Sequence, residues 1–408
     1  MPAEPTYVIV GASLTGAKAA ETLREEGFGG AVVLLGEERE RPYERPPLSK
    51  GYLLGKDERS SIYVHEESWY ADNGVDLRLG VTATGLDLGA RQVQLAGGGT
   101  VGYDRVLLAT GAAPRRLSVP GADLEGVVYL RRVGDSERLA AALRGGGQVV
   151  IVGAGWIGLE VASAARESGC EVTVVEPEAG ALHRHLGPEL GGMFADLHSE
   201  HGVVFRFGES VTELRGSGGK VGAAVTSAGA TLPAELVVVG IGAVPVTRLA
   251  ADAGLDVANG VIADAGLRTS AHEVFAAGDV ANAFHPLLGK HIRVEHWANA
   301  LNGGPAAARS MLGLGVSYDT VPYFFSDQYD LGMETAGLPE PGSYDQVVYR
   351  GDRDAREFIA FWLSGGAVVA GMNVNVWDVS DDIQAVIRSR RQVDPARLAD
   401  PDVPIPEL

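Results

Sequence analysis

The sequence is poor in cysteine and in basic side chains, and each shortage excludes a class of protein. Cys170 is the single cysteine among 408 residues, so neither an internal disulfide nor a redox-active cysteine pair is possible. The net charge of −19 argues against binding to nucleic acid, whose phosphates require a basic surface, and against an anionic membrane surface. We therefore expect no nucleic-acid or membrane partner.

Long apolar runs and targeting signals are also lacking. No run approaches the roughly 18 apolar residues that a membrane-spanning helix needs. The first residues, MPAEPTYVIV, have no basic start and lead directly into a predicted strand, so a signal peptide is not expected. With so little cysteine, the chain is expected to work in a reducing cytoplasm.

What the chain does contain is typical of a globular protein, with 46% apolar and 21% charged residues. Its 408 residues are too many for one core, because domains usually run to about 100–200 residues. Two or three domains are therefore expected. The 56 glycines suit many tight turns and close backbone approaches.

Residues 6–36 read as strand, glycine turn, helix and strand, and Glu37 follows them. The turn is GASLTG, in which Ser13 stands where the dinucleotide fingerprint Gly-x-Gly-x-x-Gly has its second glycine. Gly11 permits the sharp turn, and Gly16 lets helix and strand pack closely. The helix N-terminus offers free N–H groups to a pyrophosphate, and an acid about 20 residues on accepts hydrogen bonds from a ribose. Alone, this pattern also fits an ordinary βαβ turn.

The chain then repeats the pattern at residues 148–176, QVVIVGAGWIGLEVASAARESGCEVTVVE. Here the fingerprint is complete, with Gly153, Gly155 and Gly158, and Glu176 closes the second strand. A third element recurs as well, because VLLATGAAP in the first copy corresponds to VVVGIGAVP in the second. Two three-part motifs in the same order predict two dinucleotide sites. The acid in the second copy favours NADH over NADPH, whose 2′-phosphate would meet like charge.

A further strand, in TSAHEVFAAGDVAN (269–282), ends in Gly-Asp with Asp279. Small residues around it permit close approach to a nucleotide. Because this segment is far from both fingerprints, the first domain is expected to be discontinuous. By itself, a Gly-Asp pair at a strand end also fits a simple turn.

Eight segments together carry a more specific resemblance: RPYERPPLSKGYL (41–53), ATGAAPR (109–115), YLRRVGDS (129–136), GAGWIGLEVA (153–162), VVVGIGAVP (237–245), FAAGDVA (275–281), RVEHWANA (293–300) and SDQYD (326–330). Over essentially its whole length, the chain resembles the FAD- and NADH-dependent ferredoxin reductases of bacterial oxygenase systems. The resemblance implies an α/β fold with two Rossmann-like dinucleotide-binding domains of the glutathione-reductase type and a C-terminal α+β domain. The implied bounds are 1–114 with 245–319 for the FAD domain, 115–244 for the NADH domain and 320–408 for the C-terminal domain.

The resemblance also implies the residues of both sites. For FAD they are Gly11, Ser13, Leu14, Thr15, Gly16, Glu37, Arg45, Lys50, Ala83, Thr110, Gly111, Arg131, Gly278, Asp279, Glu295 and Trp297. For NADH they are Gly153, Gly155, Trp156, Ile157, Gly158, Glu160, Glu176, Arg184, Ile241 and Gly242.

Two of these residues are implied to be catalytic, Lys50 near the flavin and Glu160 beside the nicotinamide carboxamide. A cation near a flavin stabilises its anionic reduced form, which gives Lys50 a physical role. Without the resemblance, Lys50 reads as a solvated loop lysine and Trp297 as a core residue. No metal ligand set is predicted.

Three positions depart from the family pattern. Ser13 replaces a glycine, Phe325 stands where relatives often have tryptophan, and Gly180 stands where some have an arginine near the adenosine. Arg184 could substitute for that arginine. Disulfide-reducing relatives of this fold need redox cysteines, whereas Cys170 reads as a packing residue. The flavin is therefore expected to pass electrons outward directly.

The last segment, from about residue 320, reads as strands and a helix. Residues 356–375 indicate two strands around a Gly-Gly turn, and residues 380–392 indicate a helix with Ser380 as its N-cap. Arg388, Arg390 and Arg391 lie together there. Their cluster fits either a dock for an acidic ferredoxin or cations that favour a helix C-terminus. Arg115, Arg116, Arg131 and Arg132 form a second candidate cluster.

The favoured interpretation is a flavoprotein that takes hydride from NADH onto FAD and delivers single electrons to a [2Fe–2S] ferredoxin, which feeds an oxygenase or a cytochrome P450. One alternative is an NADH-dependent reductase whose acceptor is rubredoxin, a quinone or oxygen. Another is a slow-turnover flavin redox sensor that resembles apoptosis-inducing factor.

Overall fold

The structure is a computed structural model that describes residues 4–408. Its internal contacts divide the chain into two units. Unit 1 consists of the chain up to Glu44, Arg59–Ala113 and Val244–Pro322, and unit 2 consists of Arg45–Glu58, Pro114–Ala243 and Tyr323–Leu408. The three-domain bounds of the sequence analysis stay a prediction beside this two-unit division.

The strands, in chain order, are β1 Thr6–Val10, β2 Ala31–Gly36, β3 Val75–Leu79, β4 Ala83–Asp87, β5 Gln92–Leu95, β6 Thr100–Gly102, β7 Arg105–Leu108, β8 Ala112–Pro114, β9 Val127–Val128, β10 Gln148–Val152, β11 Glu171–Glu176, β12 Val204–Phe207, β13 Val211–Ser217, β14 Lys220–Thr226, β15 Thr231–Pro233, β16 Leu236–Val239, β17 Ala243–Pro245, β18 Val261–Ala263, β19 Val274–Ala276, β20 Ala281–His285, β21 Lys290–Ile292, β22 Tyr323–Gln328, β23 Leu331–Gly337, β24 Gln346–Asp352, β25 Glu357–Ser364 and β26 Ala367–Val374.

The α-helices are α1 Leu14–Glu25, α2 Glu67–Asp72, α3 Val133–Leu143, α4 Trp156–Glu167, α5 His183–Glu200, α6 Arg248–Asp252, α7 Trp297–Met311, α8 Ser380–Ser389 and α9 Pro395–Ala399. Helix α5 is kinked at Gly187, whose backbone is not helical. No helix within residues 4–408 combines the length and the apolarity needed to cross a membrane.

Unit 1 is built on a parallel sheet with the strand order β19-β7-β1-β2-β3. Strand β1 is central, and its Ile9 pairs with Leu34 on one side and Leu107 on the other. Ile9 packs into the cluster that includes α1 and α7, whereas Val8 and Val10 pack into the cluster on the opposite face. Burial of both faces explains why β1 reads as a continuous apolar run.

Helices α1 and α7 cross closely in unit 1 because small residues meet at the crossing. A Cβ added at Gly304 of α7 would lie 2.4 Å from the carbonyl oxygen of Thr15 and 3.0 Å from the nitrogen of Ala19. At Gly304, the backbone of α7 therefore packs directly against the backbone of α1. Unit 1 also contains the antiparallel sheet β4-β5-β6 and the small sheet β18-β20-β21.

Unit 2 contains a second parallel sheet, with the order β12-β11-β10-β16-β9. Its central strand β10 pairs Ile151 with Val174 and with Val238. Val150 and Val152 face a cluster shared with the antiparallel sheet β13-β14-β15, which covers this side. The two central strands β1 and β10 thus occupy equivalent positions in two sheets of the same type.

The chain from Tyr323 onward forms an antiparallel sheet in unit 2, with the order β22-β23-β26-β25-β24. Strands β25 and β26 confirm the predicted pair around the Gly-Gly turn. Helix α8 packs on this sheet, and a Cβ added at Gly371 would lie 2.5 Å from Cγ2 of Ile383. The predicted Ser380 cap is wrong, because Val379 takes the N-cap position with a helical backbone and Ser380 is the first helical residue.

Candidate functional site

The first glycine turn leaves no room for side chains at its two glycines. Gly11 has φ +125°, and a Cβ there would lie 2.0 Å from the carbonyl oxygen of Ala109. A Cβ at Gly16 would lie 2.0 Å from the carbonyl oxygen of Gly11. The Gly11 N–H donates to the carbonyl oxygen of Leu35 at 2.8 Å, which ties the turn to β2. Only glycine fits these two positions.

Ser13 occupies the N-cap of α1, and this part of the turn is open to a ligand. Its backbone is extended, with φ −123° and ψ −163°, and its side chain makes no capping bond to α1 within the described residues. The first N–H groups of α1 are therefore left for another acceptor, as a pyrophosphate site requires. Leu14 and Thr15, also predicted for this site, are buried in the first turn of α1.

A second loop approaches α1 at Gly278. Gly278 has φ +74°, and a Cβ there would lie 2.5 Å from Oγ1 of Thr15. Asp279 lies in the 3₁₀ turn Gly278–Val280 directly after this glycine. The structure thus brings the late Gly-Asp segment and the first fingerprint together in unit 1.

The other residues predicted for FAD in unit 1 occupy strand ends and loops. Glu37 follows β2 directly, Ala83 begins β4 and Trp297 begins α7. Thr110 donates its hydroxyl to the carbonyl oxygen of Val246 at 2.7 Å. Gly111 has φ +69°, and Glu295 is ion-paired with Arg293.

The second glycine turn, in unit 2, reproduces the first. Gly153 has φ +104°, and a Cβ there would lie 2.4 Å from the carbonyl oxygen of Gly240. A Cβ at Gly158 would lie 2.2 Å from the carbonyl oxygen of Gly153. At Gly155, the N-cap of α4, an added Cβ meets no atom of the described chain within 4 Å. The turn is therefore closed toward the sheet and open above the helix N-terminus.

Glu176, the last residue of β11, accepts two backbone hydrogen bonds. Its Oε2 accepts from the Ala154 N–H at 2.7 Å, and its Oε1 accepts from the Glu178 N–H at 2.9 Å. The carboxylate thus links the glycine turn to the loop after β11. Arg184 donates through Nε and Nη2 to Glu178, so the predicted substitute for the missing arginine is engaged by an acid in the same loop.

The remaining residues predicted for NADH surround the start of α4 and the end of β16. Trp156 packs its ring 4.7 Å from that of Phe324, centroid to centroid. Ile157 is 46% exposed, which is unusual for a large apolar side chain. Ile241 and Gly242 follow β16, and Gly242 has φ +90°.

Lys50 and Glu160 form an ion pair inside unit 2. Lys50 follows the 3₁₀ turn Pro46–Ser49, and its Nζ lies 2.6 Å from Oε1 of Glu160. The Lys50 side chain is 16% exposed and that of Glu160 is 4% exposed. Lys50 is therefore not a solvated loop lysine, the alternative that the sequence left open. Arg45 and Arg131 lie in the same unit, where the Arg45 guanidinium donates to the carbonyl oxygen of Arg131.

Two serines complete the surroundings of Glu160, and neither is among the site residues that the family resemblance implies. Ser49 Oγ donates to Oε2 at 2.5 Å and Ser326 Oγ donates to Oε1 at 2.7 Å. Their positions beside Lys50 and within SDQYD are the only sequence signals that could have indicated them. With Lys50, they satisfy both oxygens of a buried carboxylate, as burial of a charge requires.

Charge and aromatic contacts extend the site along β22. Burial raises the pKa of Asp327, while Lys50 lowers it and Glu160 and Glu334 raise it. Lys50 Nζ also lies 5.4 Å from the ring centroid of Phe325, the residue that departs from the family pattern. An aromatic ring thus remains beside the lysine at this position.

Comparison with known proteins decides the family. Residues 5–304 match the model of the pyridine nucleotide-disulphide oxidoreductases, and residues 323–408 match the model of the reductase C-terminal domain. The chain belongs to the pyridine nucleotide-disulphide oxidoreductase family. The predicted fold class is confirmed by the same matches.

Relatives within this family include electron-transfer reductases. The ferredoxin–NAD(+) reductase component of the anthranilate 1,2-dioxygenase system of Burkholderia cepacia is 41% identical and covers 99% of this chain and 98% of its own. The rubredoxin–NAD(+) reductase of Pseudomonas putida is 36% identical and covers 90% of this chain and 95% of its own. The reductase in the crystal structure of the covalent putidaredoxin reductase–putidaredoxin complex superposes with a TM-score of 0.94 at 34% identity and covers 99% of this chain and 98% of its own. The resemblance predicted from sequence motifs is confirmed.

The family usually carries two nucleotides, and the residues here fit them. Each glycine turn leads into a helix whose N-cap residue makes no side-chain capping bond, Ser13 in the first turn and Gly155, which has no side chain, in the second. On the side that faces its sheet, each glycine turn approaches neighbouring backbone atoms so closely that only glycine fits. These are the features that a dinucleotide pyrophosphate requires.

The family name refers to disulphides, but this chain has a single cysteine and cannot form one within itself. Cys170 is buried, and its Sγ lies 3.5 Å from the carbonyl oxygen of Leu143. Burial raises the pKa of this thiol, which disfavours the reactive thiolate. The predicted packing role for Cys170 agrees with this position. Among residues 4–408, no group of three or more His, Cys, Asp or Glu side chains is placed to hold a metal ion.

Proposed function

We propose that the chain is an NADH-dependent ferredoxin reductase that serves an oxygenase or a cytochrome P450. The observation that carries this proposal is the pair of equivalent glycine turns, one in each unit, in a protein without a redox cysteine partner. Two nucleotides can bind, and electrons must leave without passing through a protein disulfide. The relatives named as ferredoxin–NAD(+) reductases support the same activity.

FAD and NADH are the two cofactors, in line with the family. When bound, NADH supplies a hydride to FAD, and the reduced flavin supplies electrons one at a time to an acceptor. The turn at Gly11, Ser13 and Gly16 holds the FAD pyrophosphate, and Glu37 accepts from its ribose. The turn at Gly153 to Gly158 holds NADH, and Glu176 accepts from the adenosine ribose.

Lys50 and Glu160 are the residues on which the chemistry depends. The Lys50 ammonium opposes the negative charge that reduction places on a flavin, which stabilises the reduced state. Glu160 holds the ammonium in one place, because its carboxylate is buried and bonded by Ser49 and Ser326. A fixed charge in a site shielded from water acts more strongly than a mobile one.

The partner that this proposal requires is a small [2Fe–2S] ferredoxin. Arg388, Arg390 and Arg391 are exposed at the end of α8, where they make a local basic patch in an acidic chain. Arg391 also donates to the carbonyl oxygen of Leu408 at 3.2 Å. Such a patch fits an acidic partner. A cytoplasmic location agrees with the single buried cysteine.

The test is NADH-driven reduction of cytochrome c by the FAD-loaded protein, with and without an added [2Fe–2S] ferredoxin. We expect strong stimulation by the ferredoxin. If NADH bleaches the flavin but ferredoxin adds little, another acceptor such as rubredoxin, a quinone or oxygen takes the electrons. A long-lived reduced flavin–NAD complex with slow turnover would instead identify a redox sensor.

A further inference from the structure

A row of buried polar side chains extends from Glu160 through the interior of unit 2. Ser326, Gln328 and His198 are at most 1% exposed. Ser326 Oγ lies 2.7 Å from Oε1 of Glu160 and 3.0 Å from Nε2 of Gln328. Gln328 Oε1 lies 2.7 Å from Nε2 of His198. A continuous hydrogen-bonded row therefore joins the Lys50–Glu160 pair to helix α5.

The chemistry of these groups fixes the direction of every bond in the row. A carboxylate only accepts, so the Ser326 hydroxyl donates its proton to Glu160. The Ser326 oxygen then accepts from the amide nitrogen of Gln328, which turns the amide oxygen toward His198. His198 must donate from Nε2, and its Nδ1 is left as an acceptor. Tyr329 OH lies 3.4 Å from that Nδ1 and can donate to it.

The neutral imidazole that this arrangement needs is favoured by the surroundings. Burial lowers the pKa of His198 to about 4, with a further lowering from His201 and an opposing effect from Gln328. Tyr329, which closes the row, stacks its ring on His201 at 3.7 Å. The charged groups at the other end are Lys50, Glu160 and Asp327.

The fold supplies the row from elements that pack on one another. Ser326 and Gln328 are two positions apart on β22, so their side chains project from the same face of the strand. Glu160 lies on α4 and His198 on α5. All of these residues belong to unit 2, so the row does not depend on how the two units are arranged.

We propose that Ser326, Gln328 and His198 are positioning residues for Lys50, because they form a chain in which each donor points toward the carboxylate that holds the lysine. Hydrogen bonds aligned in this way polarise one another and strengthen the bond to the charged end. Loss of the His198 donor therefore weakens the hydrogen bonds that fix the Glu160 carboxylate, and Lys50 becomes free to move. The proposal rests on the proposed function in one respect, namely that Lys50 serves a flavin.

The experiment compares full-length wild-type protein with His198→Phe, which removes the donor, and His198→Gln, whose amide nitrogen can replace Nε2. Lysine labelled with ¹³C at Cε gives signals for Lys18, Lys50, Lys56, Lys220 and Lys290, and Lys50→Arg assigns the one of interest. Ser199→Ala, which alters an exposed serine next to His198 on α5, is the matched control.

We expect the Lys50 signal to shift in His198→Phe, because the loss of the His198 donor weakens the row of hydrogen bonds that fixes Glu160 against the ammonium. The same signal keeps its wild-type position in His198→Gln and in Ser199→Ala. In FAD-loaded protein, His198→Phe shifts the flavin midpoint potential in the same direction as Lys50→Ala, by less. Ser326→Ala, which removes one hydroxyl without a large void, gives the same Lys50 shift if His198→Phe does not fold.

Two results would overturn the proposal. A folded His198→Phe protein with a wild-type Lys50 signal shows that the chain does not act on the lysine. Equal shifts in His198→Phe and His198→Gln show that packing, and not hydrogen bonding, is what matters. Failure of the proposed function gives a different result. In that case NADH does not reduce the flavin of the wild-type protein, whatever happens to the Lys50 signal.

Discussion

At the scale of single residues, Glu176 joins the second glycine turn to the loop that follows β11. We expect Glu176→Ala to lower kcat/KM for NADH by about 10- to 100-fold, because a charge-assisted hydrogen bond contributes roughly 1.5–3 kcal/mol. Combining it with Pro177→Arg should narrow the preference for NADH over NADPH, since a cation would then face the 2′-phosphate. Steady-state kinetics with both nucleotides measure this.

The matched control for Glu176 is Glu171→Ala, which removes an exposed carboxylate from the first residue of the same strand. Glu171→Ala should leave kcat/KM for NADH and kcat/KM for NADPH within error of the wild-type values. An NADH/NADPH ratio that does not change in the Glu176→Ala, Pro177→Arg protein would refute the assignment of Glu176 to the ribose.

His198 gives a prediction about pH. Its pKa is lowered from 6.5 to about 4 in the folded protein, so the unfolded chain takes up a proton at higher pH than the folded chain does. Stability is therefore lost as the pH falls from 6.5 toward 4. The loss is about 2 kcal/mol between about pH 7 and about pH 5.

Urea unfolding of wild type and His198→Gln at these two pH values checks the sign. The variant should lose less stability on acidification, because glutamine does not titrate. Replacing His272, which is exposed, by glutamine should leave the wild-type response unchanged. Equal losses in wild type and His198→Gln would contradict the prediction.

At the scale of elements, the crossing of α1 and α7 depends on Gly304. Gly304→Ala places a methyl group 2.4 Å from the backbone of α1, so the helices must separate, at a cost of about 1–3 kcal/mol. Because α1 begins at the first glycine turn, we also expect weaker retention of FAD. Thermal unfolding and flavin release measure the two effects.

Gly192 of α5 is the matched control for this substitution. An alanine Cβ there meets no atom of the described residues within 4 Å, so Gly192→Ala should be neutral or should stabilise the protein by about 0.5–1 kcal/mol. If both substitutions have the same effect, helix propensity and not the crossing determines the result at Gly304.

The elements around both fingerprints could be predicted from sequence because their signals are local. Apolar runs such as TYVIV and QVVIV indicate buried strands, and a glycine turn separates each from its helix. The prediction of Ser380 as N-cap is wrong because the backbone of Val379 already adopts a helical conformation, and the preference of serine for N-caps does not reveal that.

The contacts of Lys50 could not be predicted in the same way. Ser49 and Glu160 are 111 positions apart in the chain, and Ser326 and Glu160 are 166 apart. Only the packing of α4 against β22 and against the turn Pro46–Ser49 brings them together. A pattern read along the sequence has no access to such pairings, so the position of Gln328 within SDQYD does not reveal its contact with His198.

At the scale of the whole molecule, one architecture occurs twice with two predicted ligands. In both copies the first glycine donates its N–H to the end of the next strand, Gly11 to Leu35 and Gly153 to Val175. The copies differ at three of the six positions of the turn, and at one of these, the second glycine of the fingerprint, the first copy has Ser13 and the second has Gly155. This difference permits a test in which one nucleotide is lost and the other is kept.

We expect Gly155→Asp to retain FAD but to lower the rate of flavin reduction by NADH by 100-fold or more, as expected for about 3 kcal/mol of repulsion. The new side chain has space above α4, so the fold stays intact, while its carboxylate repels a pyrophosphate at the helix N-terminus. Dithionite should still bleach the flavin. Gly155→Ser, which copies Ser13 of the first turn, should reduce the rate far less. If Gly155→Asp instead released FAD and left NADH binding unchanged, the two turns would have to exchange their ligands, because the space at Gly155 rules out a general disruption of the fold.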